Sequence, residues 1–276
     1  MKLVLHRLVL AVLALAAFGA AAADRAVYTL AILPSQPAVT MNALWSPFVE
    51  RLSKATGLEF RLKHYERTAE FERDIWSGMP DFIFSSPIQA VVAHVSSGYV
   101  PLVHARKPVS VGLYVREDSP IRSVDDLVGK KISFVGNKNV CSVTLQHLLA
   151  KKDKVDFGKE YAGTTRNVII SVLLGKTDAG AVFEPEMSRE SADTRRQLRK
   201  VVETPPMGAH PLSASPRVPR QVQEAVTQAV LAMAATPVGA ALLATLKLED
   251  PVRADYRKDY AALEEIDIRG ATNWGH

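Results

Sequence analysis

DFIFSSPIQAVVAHVSSGYVPLVHA, residues 81–105, decides the fold. DFIFSS (81–86) is a short apolar run with strand character. Pro87 follows, and its missing N–H costs nothing in the first turn of a helix, where those groups have no intrahelical partner anyway. The helix PIQAVVAHVSSG (87–98) closes at a glycine. YVPLVHA (99–105) is again a strand. A strand, a helix of about a dozen residues and a second strand make a βαβ unit, and such units build parallel α/β sheets.

The alternation continues in both directions. VYTLAIL (27–33) and LEFRLKHY (58–65) are strands. Between them Leu44, Phe48 and Leu52, with Trp45 and Val49, share one helical face that ends at Gly57. AEFERDIWSG (69–78) is a short helix, and Trp45, Phe48, Phe71 and Trp76 are core candidates. Further on, VGLYVRE (111–117), KISFVG (131–136), DAGAVFE (178–184) and LRKVVET (198–204) are strands. Ser123 is placed to cap a one-turn helix in SVDDLVGKK (123–131). Other helices are expected from about Ser142 to Lys151, over NVIISVLLG (167–175), from Pro219 on to about Lys247, and in DYAALEEI (259–266). ARKPVSVG (105–112) and TPPMGAHP (204–211) read as crossings between two lobes, giving lobe 1 as 24–107 plus 208–276 and lobe 2 as 108–207, with a ligand cleft between them.

Lys2 and Arg7 precede an apolar segment from Leu8 to Phe18, and Ala21-Ala22-Ala23 is followed by Asp24. This is the pattern of a signal peptide cleaved after Ala23, so residues 1–23 are assigned to it and a periplasmic mature chain is expected. No later segment holds about 18 consecutive apolar residues. The net charge of +5 falls to +3 when Lys2 and Arg7 leave with the leader. The basic residues are scattered, which points away from nucleic acid. A single cysteine, Cys141, allows no internal disulfide, so stability must come from packing.

The motif order resembles the phosphonate-binding family of type II periplasmic substrate-binding proteins, which serve importers of phosphonate, phosphite and related oxyanions. The resemblance rests on LSKATGLEF (52–60), SGMPDFIFSSP (77–87), YVREDSPIRSVDDLVGKKISFV (114–135) and VLLGKTDAGAV (172–182), and runs from about 28 to 230. It implies an α/β fold of two lobes, each a mostly parallel sheet flanked by helices, with hinge strands between. It also implies a monomer that closes on a small solute and delivers it to an inner-membrane ABC permease. Some relatives are sensors that signal to a membrane histidine kinase, including arsenite-responsive ones that use a cysteine.

The family's ligand residues carry over incompletely. The Ser-Thr-Ser-Gly-like turn at the second-lobe helix start is here Asn139-Val140-Cys141-Ser142. Thr165 stands where the family has a histidine, Val109 near a hinge tyrosine, His210 near an acid, and Thr68 near a pocket tyrosine. A hydroxyl-lined phosphonate pocket is therefore not expected, and the ligand is read as an oxyanion or related small polar solute.

Local chemistry adds to this. Asn139 to Ser142 and Ser85-Ser86-Pro87 both lead into helix N-termini, whose free N–H groups and dipole suit an anion. The same field would favour the Cys141 thiolate. With His210 it could bind arsenite or a soft metal ion, or act as the nucleophile of a thiol-dependent enzyme with His210 as base. The alternative is that Cys141 is a small packing residue. The ligand set is thus Ser85, Ser86, Asn139, Cys141, Ser142, Thr165, His210 and Thr68. Arg106, Lys107 and Arg166 are either anion anchors or solvated charges. His64, His94 and His104 lack metal-ligand spacing, and Asp125-Asp126 belongs to a helix first turn. GxSxG, Walker A and HExxH patterns are missing, so neither catalysis, a cofactor nor a resident metal is expected.

Overall fold

The computed structural model describes residues 26–152 and 154–268; the expected signal peptide and its cleavage site lie outside the described residues. The chain builds two sheets. The first contains β1 (Val27–Ile32), β2 (Glu59–Lys63), β3 (Phe82–Phe84), β4 (Val100–Ala105), β10 (Leu212–Ala214) and β11 (Pro251–Arg253), in the order β11-β4-β10-β3-β1-β2. The second contains β5 (Val111–Arg116), β6 (Lys131–Phe134), β7 (Gly158–Tyr161), β8 (Ala179–Phe183) and β9 (Leu198–Glu203), in the order β7-β6-β8-β5-β9. β1 pairs in parallel with β2 and β3, and β6 with β7 and β8; β10, β11 and β5 run against their neighbours. Four of the six strands in the first sheet and four of the five in the second run the same way, but only two of five and two of four neighbouring pairs are parallel, so both sheets are mixed.

Parallel sheets need helices on both faces, and strand alternation divides the core accordingly. On the first sheet Leu30, Ile32, Phe82 and Phe84 pack with Trp45, Phe48 and Leu52 of α1 (Ala38–Thr56). Ala31 and Ile83 point to the other face, with Phe71 and Ile75 of α2 (Thr68–Trp76) and Ala93 of α3 (Pro87–Ser97). On the second sheet Ile132, Phe134 and Ala181 meet Val140, Val143 and Leu145 of α4 (Val140–His147). Tyr114 and Val182 meet Val168 and Val172 of α5 (Thr165–Leu173) on the opposite face. A Cβ at Gly180 would lie 2.7 Å from Val168 Cγ1, so the closeness of α5 to β8 depends on that glycine.

Three strands escape the sequence reading. β10 and β11 are three residues each, too short for periodicity to register, and β7 is a largely exposed edge. Two short helices do as well, α6 (Glu184–Met187) and α7 (Ala192–Arg196). The long helix expected from Pro219 to Lys247 is two, α8 (Arg220–Met233) and α9 (Pro237–Thr245), bent by 109°. Pro237 has no N–H and disfavours helical backbone at Thr236, whose hydroxyl instead caps α9 by accepting from Gly239 N at 3.1 Å. The expected helix at 123–131 is a 3₁₀ turn, Asp125–Leu127. No side chain caps it at Ser123; instead Asp126, within the turn, reaches back and accepts from Arg122 N and Ser123 N, both at 2.9 Å. The tail expected as one helix is α10 (Tyr256–Asp259) followed by a 3₁₀ turn, Ala261–Glu265.

The two segments joining the sheets pair with each other. Val109 N donates to Met207 O at 2.9 Å, and Met207 N to Val109 O at 2.8 Å. Tyr260, 1% exposed, donates its hydroxyl to Ala209 O at 2.7 Å and fills the space a Cβ at Gly208 would need. Among the described residues no single helix is long and apolar enough to cross a membrane.

Candidate functional site

Ligands of open α/β sheets bind beyond the carboxyl ends of the parallel strands. In the first sheet β3 ends at Phe84 and delivers Ser85 and Ser86 to that edge. Ser85 is fully buried, and its hydroxyl has no hydrogen-bond partner. Ser86 caps α3: its Oγ accepts from Gln89 N at 3.3 Å, while Gln89 Oε1 accepts from Ser86 N at 3.0 Å. Gln89 Nε2 in turn donates to Glu72 Oε1 at 3.3 Å, and the other oxygen of Glu72 lies 3.6 Å from Lys138 Nζ. Glu72 is 5% exposed. A polar chain thus runs from the start of α3 to the loop that opens α4 on the other sheet.

That loop follows β6. Asn139 caps α4 with its Oδ1, which accepts from Cys141 N at 2.9 Å. Ser142 is fully buried and its Oγ accepts from Gly136 N at 3.4 Å. Cys141 is 2% exposed and packs among Val140, Val143 and Leu145. Burial pushes its thiol well above the ordinary range, and the charge of Glu186 adds to the shift. The helix-start field that favours thiolate is outweighed by desolvation. Of the two sequence readings of Cys141, this geometry is that of a packing residue.

His210 stands in the crossing back to the first sheet, 9% exposed. Its ring stacks on Phe84, with centroids 6.0 Å apart, and meets Phe183 edge-on at 6.2 Å. Burial lowers its pKa to about 3, with Lys247 adding to the effect, so the imidazole is neutral. Two cavities meet at this ring. One, of about 110 Å³, holds Lys107, Phe183, Glu186 and Arg189; the other, of about 80 Å³, holds Ser35, Trp45 and Phe84. His210 and Lys247 line both.

Other sequence candidates fall elsewhere. Thr68 is exposed as the first residue of α2, and Thr165 is half-buried as the first residue of α5, which Thr164 caps; of the eight ligand residues expected from the sequence only His210 lines the two cavities, and Ser85, Ser86, Asn139, Cys141, Ser142, Thr68 and Thr165 do not. Arg106 pairs with exposed Asp250, and Arg166 lies 3.7 Å from Glu190. His94 stacks on Tyr256, and His104 bonds Asp259 at 3.0 Å. Among the described residues no group of three His, Cys, Asp or Glu is arranged to hold a metal ion. The sequence reading did not select Glu72, Gln89, Lys138, Phe84, Phe183 or Lys247 for the site. Only Gln89 carried a local signal, as the fourth residue of a Ser-x-x-Gln capping box.

Residues 30–260 match the family described as ABC transporter, phosphonate, periplasmic substrate-binding protein. No curated protein sequence matches the chain. Among solved structures, XAC2383 from Xanthomonas citri bound to ATP superposes with a TM-score of 0.74 at 16% identity, covering 91% of this chain and 99% of that one. PhnD1 from Prochlorococcus marinus in complex with methylphosphonate gives 0.70 at 14% identity, covering 91% and 99%. A binding protein component of an ABC phosphonate transporter from Pseudomonas aeruginosa gives 0.64 at 15% identity, covering 84% and 82%. At these identities the likeness is one of fold.

Proposed function

The chain belongs to the phosphonate-binding family of periplasmic substrate-binding proteins of ABC transporters, and from that premise we propose that it captures a small oxyanion-bearing solute for an importer. The family is one of solute-binding proteins rather than enzymes, and its partners are a small-molecule ligand and an ABC permease. The proposed lobes are 24–107 with 208–276, and 108–207, closing as a monomer about the paired crossings. The ligand lies between the helix starts at Ser85-Ser86 and Asn139–Ser142, with His210 as the floor. Thr68 and Thr165 are kept as residues of the cleft rim.

One observation carries this reading: the Ser85 hydroxyl is fully buried and unpartnered beside a helix N-terminus. A buried hydroxyl without a partner costs about 1–3 kcal/mol, a cost that a bound oxyanion would offset. The sensor alternative that depends on a cysteine ligand is disfavoured by the burial of Cys141.

The test is a thermal-shift and calorimetric screen of phosphite, phosphate, methylphosphonate, methanesulfonate, arsenite and soft metal ions. An oxyanion at 100 times its Kd should stabilise the protein by about 2.7 kcal/mol. Ser85→Ala should weaken that oxyanion by about tenfold. A response to arsenite or soft metal ions alone, lost in Cys141→Ser, would overturn the reading.

A further inference from the structure

Beside the return crossing lies a cavity of about 370 Å³ that shares no lining residue with the two at His210. Small-molecule sites measure about 300–1,000 Å³ and favour junctions between domains. Three separate parts of the fold bound this cavity. Thr144, His147 and Leu148 come from the C-terminal end of α4, on the second sheet. Residues 204–207 are the crossing itself, and residues 258–266 belong to the segment after β11. That segment is tied to the first sheet. Ala254 N donates to Leu102 O at 3.0 Å, Tyr256 stacks on His94 of α3, and Asp259 Oδ2 lies 3.0 Å from His104 Nε2.

The apolar part of the wall includes Pro205, Pro206 and the buried Leu148, Met207, Leu263 and Ile266. The polar part is Thr144, His147, Thr204, Lys258, Asp259 and Glu265. Four of these have their partners within the fold. Thr144 donates to Val140 O at 2.7 Å, and Asp259 is held by His104 and by Asp255 N at 2.7 Å. His147 and Glu265 interact with other residues. Two retain free donors. Lys258 is exposed, and among the described residues its ammonium has no ion pair. Thr204, 5% exposed, accepts from Val111 N at 3.0 Å, which leaves its O–H to donate. An ammonium and a hydroxyl proton both call for an acceptor.

We propose that this cavity is a second small-molecule site, separate from the cleft, and that it takes a hydrophobic monocarboxylate. The carboxylate meets Lys258 and Thr204, and the carbon chain lies against Leu148, Met207, Leu263 and Ile266. Removing that chain from water drives the binding, and the charge-assisted bond to Lys258 sets its direction. One negative charge matches Lys258. A dianion would set a second charge against Asp259 and Glu265 and leave the apolar wall unfilled. The bound molecule would touch α4 on one side and the segment tied to the first sheet on the other. The site stands apart from the oxyanion reading above, since it uses none of the residues placed there.

The test is calorimetry with octanoate and octanol on the wild type, Lys258→Gln and Ala262→Trp. Ala262 lines the same cavity, and both substituted positions are exposed, so the fold should be kept. Octanoate should bind the wild type with a Kd of about 1 mM or tighter, and about threefold or more tighter than octanol. Lys258→Gln should erase that preference while still binding octanol. Ala262→Trp, whose indole takes up cavity space, should lose at least about tenfold for both. Absence of octanoate binding, or unchanged binding in Ala262→Trp, overturns the site. Octanol binding as tightly as octanoate to the wild type, or a preference that survives in Lys258→Gln, overturns the carboxylate class. Binding of phosphite or methylphosphonate in the cleft is untouched by any of these results.

Discussion

Cys141→Ala removes one sulfur from a site that is 2% exposed, in the same core cluster as Val140, Val143 and Leu145. The lost transfer energy and the small cavity left behind together cost about 1–2 kcal/mol. For a protein of this size that lowers Tm by about 2–4 °C per kcal/mol. Cys141→Ser should cost as much or more, because it buries a hydroxyl among apolar neighbours at about 1–3 kcal/mol. Solute affinity should stay within about twofold in Cys141→Ala, since the cap of α4 is made by Asn139 and not by the sulfur. The direct assay is thiol labelling with an aromatic disulfide. Desolvation holds the thiol in its protonated, unreactive form, so labelling must wait for opening of the fold. It should run about 10³-fold or more slower than in denaturant. Native labelling as fast as in denaturant, or loss of solute binding in Cys141→Ala, would refute the argument from burial.

Three further outcomes are expected. His210 has a folded pKa of about 3 against an ordinary 6.5; between those values the unfolded chain holds the extra proton. The stability this group contributes is therefore complete above about pH 6.5 and is lost as pH falls toward 3, at up to about 1.4 kcal/mol per pH unit; His210→Gln should flatten the denaturant-midpoint profile in that window by one proton. Gly208→Ala would place a Cβ 2.7 Å from the Tyr260 ring and should destabilise the protein by about 1–3 kcal/mol, measured by urea unfolding; a neutral result would mean that Tyr260 moves freely. Lys138→Met removes the Lys138–Glu72 pair at 3.6 Å and should destabilise the protein by about 1 kcal/mol, the pair being partly exposed; urea unfolding checks this, and an unchanged midpoint would show that the pair contributes nothing.

Legibility followed the range of the interaction involved. The βαβ unit at 81–105 could be read because strand alternation, Pro87 and Gly98 act within a few residues. The Ser86–Gln89 capping box is local in the same way. β10 could not be read, because LSA at 212–214 is a strand only by lying between β3 and β4, more than a hundred residues earlier. The break between α8 and α9 carried a local signal in Thr236-Pro237 that the apolar periodicity on either side masked. The cap expected of Ser123 is not made, because the Asp126 carboxylate, which can accept from several N–H groups at once, holds Arg122 N and Ser123 N instead.

The sequence by itself determined the alternation of strands and helices, and through motif order the family. It also drew attention to the thiol at a helix start. Only the tertiary structure decided what that thiol experiences. A helix-start field acts over one turn, whereas desolvation sums over every neighbour the fold brings in, and at Cys141 the sum is larger. The same folding brought Lys247, Phe84, Phe183 and His210 together from segments spread over residues 84 to 247. No local pattern marks Lys247, because what sets it apart is a left-handed backbone angle, φ 61°, and the cavities it borders.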